Sequence, residues 1–160
     1  MRELKYFGFL SLALTLLMGS AIAAEETLEF RLITMTVSET SLDAPKIEGH
    51  SVGSAKYTGV AVFNDGRIAH KQFVGIGDHR GAEGNFWGYS TYTFLNGDSL
   101  SLKYTGGWGS DGFVGNYEVL SGTGAYEGAT GTGHFNTAKN PWEKANLYDV
   151  TITVMTPDGS

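Results

Sequence analysis

The sequence predicts an all-β fold of eight antiparallel strands in one domain. Helical periodicity is missing: beyond the first two dozen residues, no window repeats apolar side chains at i, i+3, i+4 and i+7. The 23 glycines in 160 residues would each cost a helix interior about 1 kcal/mol. Short alternating runs rich in Thr, Val, Tyr, Phe and Trp are instead frequent, which is the composition of strands. Three dipeptides between these runs, Asp65-Gly66, Asn96-Gly97 and Asp111-Gly112, are those that two-residue primed turns favour, because both central residues need positive φ.

Taken in order, the strands are expected at 28–37, 54–63, 68–76, 85–95, 99–105, 113–120, 130–137 and 147–155. Hairpin turns join antiparallel neighbours, so the chain reads as a meander that closes into a barrel or folds as a sandwich. Closure is favoured because it removes exposed edges. The stretch 38–53, with Pro45, is expected as a long loop that folds over one mouth. The stretch 138–145, with Asn140-Pro141, is expected as a second long connection holding a helical turn.

The first 23 residues are set apart from the fold. Arg2 and Lys5 give a basic start, an apolar run from Tyr6 to Met18 follows, and Ala21-Ile22-Ala23 supplies an A-x-A cleavage site. That order is the secretory signal pattern, and the run is short for a bilayer span. The expectation is a signal peptide at 1–23, a single domain at 24–160, no membrane span after cleavage, and a secreted or periplasmic location. The leader carries Arg2, Glu3 and Lys5, a net +1, so its removal takes the formal charge from −6 to −7. An acidic balance excludes nucleic acid and anionic membrane as main partners, since phosphate binding needs clustered Lys and Arg. With no cysteine, the domain relies on its core and not on disulfides.

Alternation along each strand assigns an inner face, taking charged residues as outward. In the first strand Leu28, Phe30 and Leu32 alternate with Glu29 and Arg31, and the same phase places Thr34 and Thr36 inside. In the second, Lys56 outward places Tyr57, Gly59, Ala61 and Phe63 inside. In the third, Lys71 outward places Ile68, His70, Gln72, Val74 and Ile76 inside. In the fifth, Lys103 outward places Leu100, Leu102 and Tyr104 inside. A bulge would invert any of these phases downstream of it. The resulting interior is apolar with a few polar tips, the composition of a pocket that orients a small hydrophobic or aromatic molecule. The candidate ligand-binding residues are Thr34, Thr36, Tyr57, His70, Gln72 and Tyr104. An eight-stranded barrel is also narrow enough to be packed solid, which leaves a structural or protein-interaction module as an alternative. The fourth strand is aromatic on both faces, with Phe86, Tyr92 and Phe94 on one and Trp87, Tyr89 and Leu95 on the other. The outer set needs a cover, so a homo-oligomer, or coverage by the 38–53 loop or the chain's own tail, is expected.

The run Gly122-Thr123-Gly124-Ala125-Tyr126-Glu127-Gly128-Ala129-Thr130-Gly131 resembles the G-[TA]-G-x-[FY]-x-G-A-x-G signature of allene oxide cyclase-like barrels, found in altered form in dirigent proteins. The hairpin Asn96-Gly97-Asp98-Ser99-Leu100-Ser101-Leu102 is similar to the strand that precedes it there. The resemblance covers about residues 85–137, and more weakly 27–84. It implies an eight-stranded antiparallel, calycin-like barrel, often oligomeric, with an apolar central cavity and no metal or organic cofactor. It also implies a cofactor-independent cyclase or isomerase of a hydrophobic substrate as the alternative to simple binding, with His70, Tyr57 or Tyr104 as polar actors. The inward carboxylates on the first strand of the plant cyclase and of dirigent proteins meet Thr34 and Thr36 here, so neither activity carries over residue by residue.

Other constellations are weak. The four histidines, His50, His70, His79 and His134, show no metal-ligand spacing. No G-x-S-x-G elbow marks a nucleophilic serine, and no G-K-[ST] follows the glycine-rich run to cradle a phosphate. Glu118 and Asp149 are candidate paired carboxylates if the phase of their strands is shifted by one.

Overall fold

The computed structural model describes residues 24–157; the expected signal peptide at 1–23 lies outside the described residues. The strands are β1 (Ala24–Asp43), β2 (His50–Phe63), β3 (Ile68–Arg80), β4 (Glu83–Phe94), β5 (Ser99–Gly109), β6 (Gly112–Thr123), β7 (Thr130–Ala138) and β8 (Asn146–Thr156). Each pairs antiparallel with the next, and β8 pairs back onto β1, closing an eight-stranded barrel. A single 3₁₀ turn, Gly124–Tyr126, joins β6 to β7.

Two connections differ from expectation. The stretch 38–53 is mostly strand: β1 and β2 continue as a paired ribbon out to Asp43↔Ser51, leaving only 44–49 as a turn. Polar residues on both faces hid this ribbon, which meets solvent outside and the open barrel mouth inside. It does not fold across the barrel as a lid. The 139–145 connection contains no helical turn.

Turn geometry decides the register of β3. Phe63 N–H donates to the Arg67 carbonyl at 3.0 Å, and only Gly66 in this turn has positive φ, at 91°. The connection is therefore three residues, Asn64-Asp65-Gly66, and not the two-residue Asp65-Gly66 turn. The extra residue pairs Ala61 with Ala69, where a two-residue turn would pair it with His70. A one-residue slip sends every side chain to the other face. The inward face of β3 is thus Ala69, Lys71 and Phe73, while Ile68, His70, Gln72, Val74 and Ile76 point outward. The assignment of His70 and Gln72 to the interior is overturned by this turn. Gly97, at φ 93°, ends a matching three-residue turn in which Phe94 N–H donates to the Asp98 carbonyl at 2.9 Å.

The faces of the other strands follow their alternation up to irregularities at Val37 in β1 and Leu120 in β6. Leu28, Phe30, Leu32, Ala61, Phe63, Tyr92, Phe94, Leu100 and Leu102 are buried inside, and Trp87, Tyr89 and Leu95 are exposed outside. The core fills only half the barrel, toward the β2–β3, β4–β5 and β6–β7 turns. There Phe30, Phe63, Phe94 and Tyr126 form a chain of rings with centroids 4.5, 5.3 and 5.1 Å apart. Tyr126, from the glycine-rich run, plugs this end. Arg67 lies across it, donating to the Tyr126 hydroxyl at 2.8 Å and pairing with Glu26 and Asp65, each at 2.6 Å.

Candidate functional site

Beyond Leu32 and Lys71 the barrel is not filled. A cavity of about 650 Å³ runs from these residues to the mouth at the β1–β2 hairpin. Its wall is largely aromatic: Tyr57 from β2, Phe73 from β3, Phe86 from β4, Tyr104 and Trp108 from β5, Phe113 and Tyr117 from β6, Phe135 from β7 and Tyr148 from β8. Small residues make room for it. Gly75 and Gly88 let the Tyr104 ring lie against the β3–β4 wall, with its hydroxyl donating to the Val74 carbonyl at 2.9 Å.

Four of the six predicted site residues, Thr34, Thr36, Tyr57 and Tyr104, line this cavity. His70 and Gln72 do not, for the reason given by the β3 turn. His70 lies on the outer surface, where its Nε2 is 2.8 Å from the Thr58 hydroxyl. Glu118 is also outward, paired across strands with Lys103, and Asp149 forms a 2.7 Å ion pair with Arg31. Neither carboxylate joins the interior.

The sequence reading missed two charged groups. The first is Glu39. Val37 is a bulge in β1: Thr36 pairs with Tyr57 but Ser38 pairs with Lys56. The bulge reverses the phase, so that Glu39 and Ser41 join the cavity lining at its mouth, where both are exposed. The second is Lys71, only 2% exposed, at the inner end of the cavity. Its Nζ is 2.6 Å from the Tyr117 hydroxyl, which is also 3.3 Å from that of Tyr92. The rings of Phe73, Tyr92, Tyr117 and Tyr104 surround the Nζ at 4.6, 4.9, 4.8 and 5.7 Å from their centroids. None of the ion pairs among the described residues involves it. On the adjacent strand the Ser90 hydroxyl is buried without a hydrogen-bond partner.

Burial sets the protonation of these groups. It disfavours any charged form that lacks an opposite charge. The Lys71 amine is accordingly held well below the usual lysine range. The ring faces favour the ammonium, but with no carboxylate in reach desolvation dominates. The phenols move the other way. Burial pushes Tyr148 up to about 12 and raises Tyr92, Tyr104 and Tyr117. Tyr57 is raised by burial first and by the Glu39 carboxylate second. The cavity therefore offers neutral phenol donors and one amine with a weakened hold on its extra proton.

No family model matches the sequence, and no curated protein matches it significantly. Solved structures do match. One is a pterocarpan synthase dirigent protein, with a TM-score of 0.59 at 14% identity, covering 94% of this chain and 100% of that one. A second pterocarpan synthase dirigent protein matches with a TM-score of 0.56 at 15% identity, covering 85% of this chain and 97% of the other. The chain has the dirigent-like barrel fold. The same architecture occurs in a protein of unknown function from the DUF3224 family of Shewanella oneidensis MR-1, with a TM-score of 0.52 at 15% identity, covering 87% of this chain and 100% of that one. At these identities the likeness is one of fold.

Proposed function

We propose that this dirigent-like barrel binds a small hydrophobic or aromatic molecule in its central cavity. The observation that carries the proposal is the unfilled half-barrel itself. Its volume of about 650 Å³ is that of a small-ligand site, and its apolar aromatic wall holds a few polar groups at fixed places. Binding is favoured over cyclisation or isomerisation by the carboxylate inventory. Glu39 stands at the solvent-exposed mouth, not in the apolar depth where a carboxylate gains strength as an acid or base. On the same reading the protein works outside the cytoplasm, after loss of the residues 1–23 leader.

A ligand that binds only the folded state must stabilise it, by about 2.7 kcal/mol at a hundredfold excess over Kd. Screening apolar and aromatic compounds by thermal shift is expected to find members that raise Tm. Ala55→Trp, which places a large ring in the wall near the mouth, is expected to abolish the shift. A library that leaves Tm unmoved would sink the binding proposal and favour a purely structural module.

The outer face supports a second proposal, self-association. Val74 pairs with Tyr89, and Ile76 with Trp87, to form an apolar strip on which Trp87 is 44% and Tyr89 49% exposed. No segment of the described chain covers these aromatics, and such patches mark interfaces. Light scattering is expected to give a mass above that of one chain, and Val74→Lys to return it to the monomer. A wild-type protein that stays monomeric as its concentration is raised would refute the idea.

A further inference from the structure

Lys71 calls for more than a packing role. A buried lysine is ordinarily matched by a carboxylate, because an unpaired charge in the core is strongly destabilising. Lys71 faces instead four aromatic rings, among them Tyr117 whose hydroxyl it contacts, and the inner end of the cavity. Its side chain has been carried inward by the three-residue β2–β3 turn, at a position where a methionine or leucine would fill the same space without desolvation cost. An amine set in an apolar pocket beside a proton donor is the arrangement that activates lysine as a nucleophile toward carbonyl carbon.

We propose that the cavity captures apolar aldehydes covalently, with Lys71 forming a Schiff base and Tyr117 moving the protons; this rests on the cavity being a binding site. The Nζ lone pair attacks the carbonyl carbon, forming a C–N bond while the carbonyl π pair moves onto oxygen. Tyr117, whose hydroxyl lies 2.6 Å from Nζ, gives its proton to that oxygen and recovers one from nitrogen, which leaves a neutral carbinolamine. The nitrogen lone pair then forms the C=N bond, and the hydroxyl departs with a proton from Tyr117 as water. The iminium proton returns to the phenolate. One aldehyde and one amine become one imine and one water, with no change of oxidation state and no other reactant. Phe73, Tyr104 and Leu32 supply the apolar wall for the rest of the guest.

The test uses trans-cinnamaldehyde, with cyanoborohydride to reduce the imine, and cinnamyl alcohol as the analogue that cannot form one. At neutral pH the peptide containing Lys71 is expected to gain the mass of one reduced cinnamyl group at least about tenfold faster than any peptide from a surface lysine, because exposed amines stay protonated there. Lys71→Met is expected to lose this label, and its cooperative thermal unfolding shows that the barrel has folded. Tyr117→Phe is expected to slow labelling. If cinnamyl alcohol binds but Lys71 reacts no faster than Lys56 or Lys103, covalent capture is refuted and the binding proposal stands. If neither compound binds in the cavity, both proposals fall.

Discussion

Replacing Lys71 with methionine is expected to stabilise the protein at neutral pH and to remove the rising limb of its pH–stability profile. The folded amine is held well below the 10.5 of an unburied lysine. Between the folded value and 10.5 the unfolded chain binds one proton more than the native one. Stability therefore climbs with pH across that window, by up to about 1.4 kcal/mol per unit, and is lost as pH falls. The groups facing Lys71 act in the opposite sense. Tyr92 from β4, Tyr104 from β5 and Tyr117 from β6 are raised above 10.0, as are Tyr57 from β2 and Tyr148 from β8 further along the cavity. Above about pH 10 the unfolded chain loses phenolic protons first, so these groups lower stability as pH rises further. Methionine matches the length of the lysine stem, removes the titrating amine and leaves the phenols in place. Methionine has no proton to release on folding, so the variant is expected to be the more stable at neutral pH by about 1 kcal/mol or more. Urea denaturation from about pH 6 to about pH 10 should give a rising curve for the wild type and a flat one for Lys71→Met. Parallel curves would mean that Lys71 keeps its proton in the native state.

Gly88→Ala is expected to destabilise the barrel by about 3 kcal/mol or more, lowering Tm by about 10 °C or preventing folding. A Cβ at this position would lie 2.0 Å from the Val74 carbonyl oxygen and 2.5 Å from the Tyr104 hydroxyl. Neither obstacle yields easily. The first is backbone inside the β3–β4 ladder, and the second is fixed by its own hydrogen bond to Val74. The control is Gly109→Ala at the end of β5, where an added Cβ meets nothing within 4 Å. That change should stay within about 0.5 kcal/mol of wild type. Equal effects from the two substitutions would contradict the close approach of Tyr104 to the wall. The same contact shapes the cavity, because the ring laid against Gly88 and Gly75 borders the space left for a guest.

Alternation was decisive wherever charge and apolar character agreed. Glu29 and Arg31 against Leu28, Phe30 and Leu32 set the face of β1, and Lys103 against Leu100 and Leu102 set that of β5. It failed on β3, where the charged residue is itself the inward one. The signal that could have corrected it was Asn64, since a turn of Asn-Asp-Gly pairs Ala61 with Ala69 and puts Lys71 beside them. It failed again past Val37, because a bulge leaves no mark in composition, and Glu39 therefore entered the mouth unannounced.

The amino-acid sequence by itself determined the strands, their antiparallel order and the aromatic character of the interior. These depend on local preferences and on a period of two, and both are written residue by residue. Tertiary structure alone decided that half of the barrel stays open and that a lysine without a counter-ion lies at the bottom of the opening. Those depend on how eight strands share one volume and on single-residue shifts at Asn64-Asp65-Gly66 and Val37, which reverse the side chains beyond them within β3 and β1.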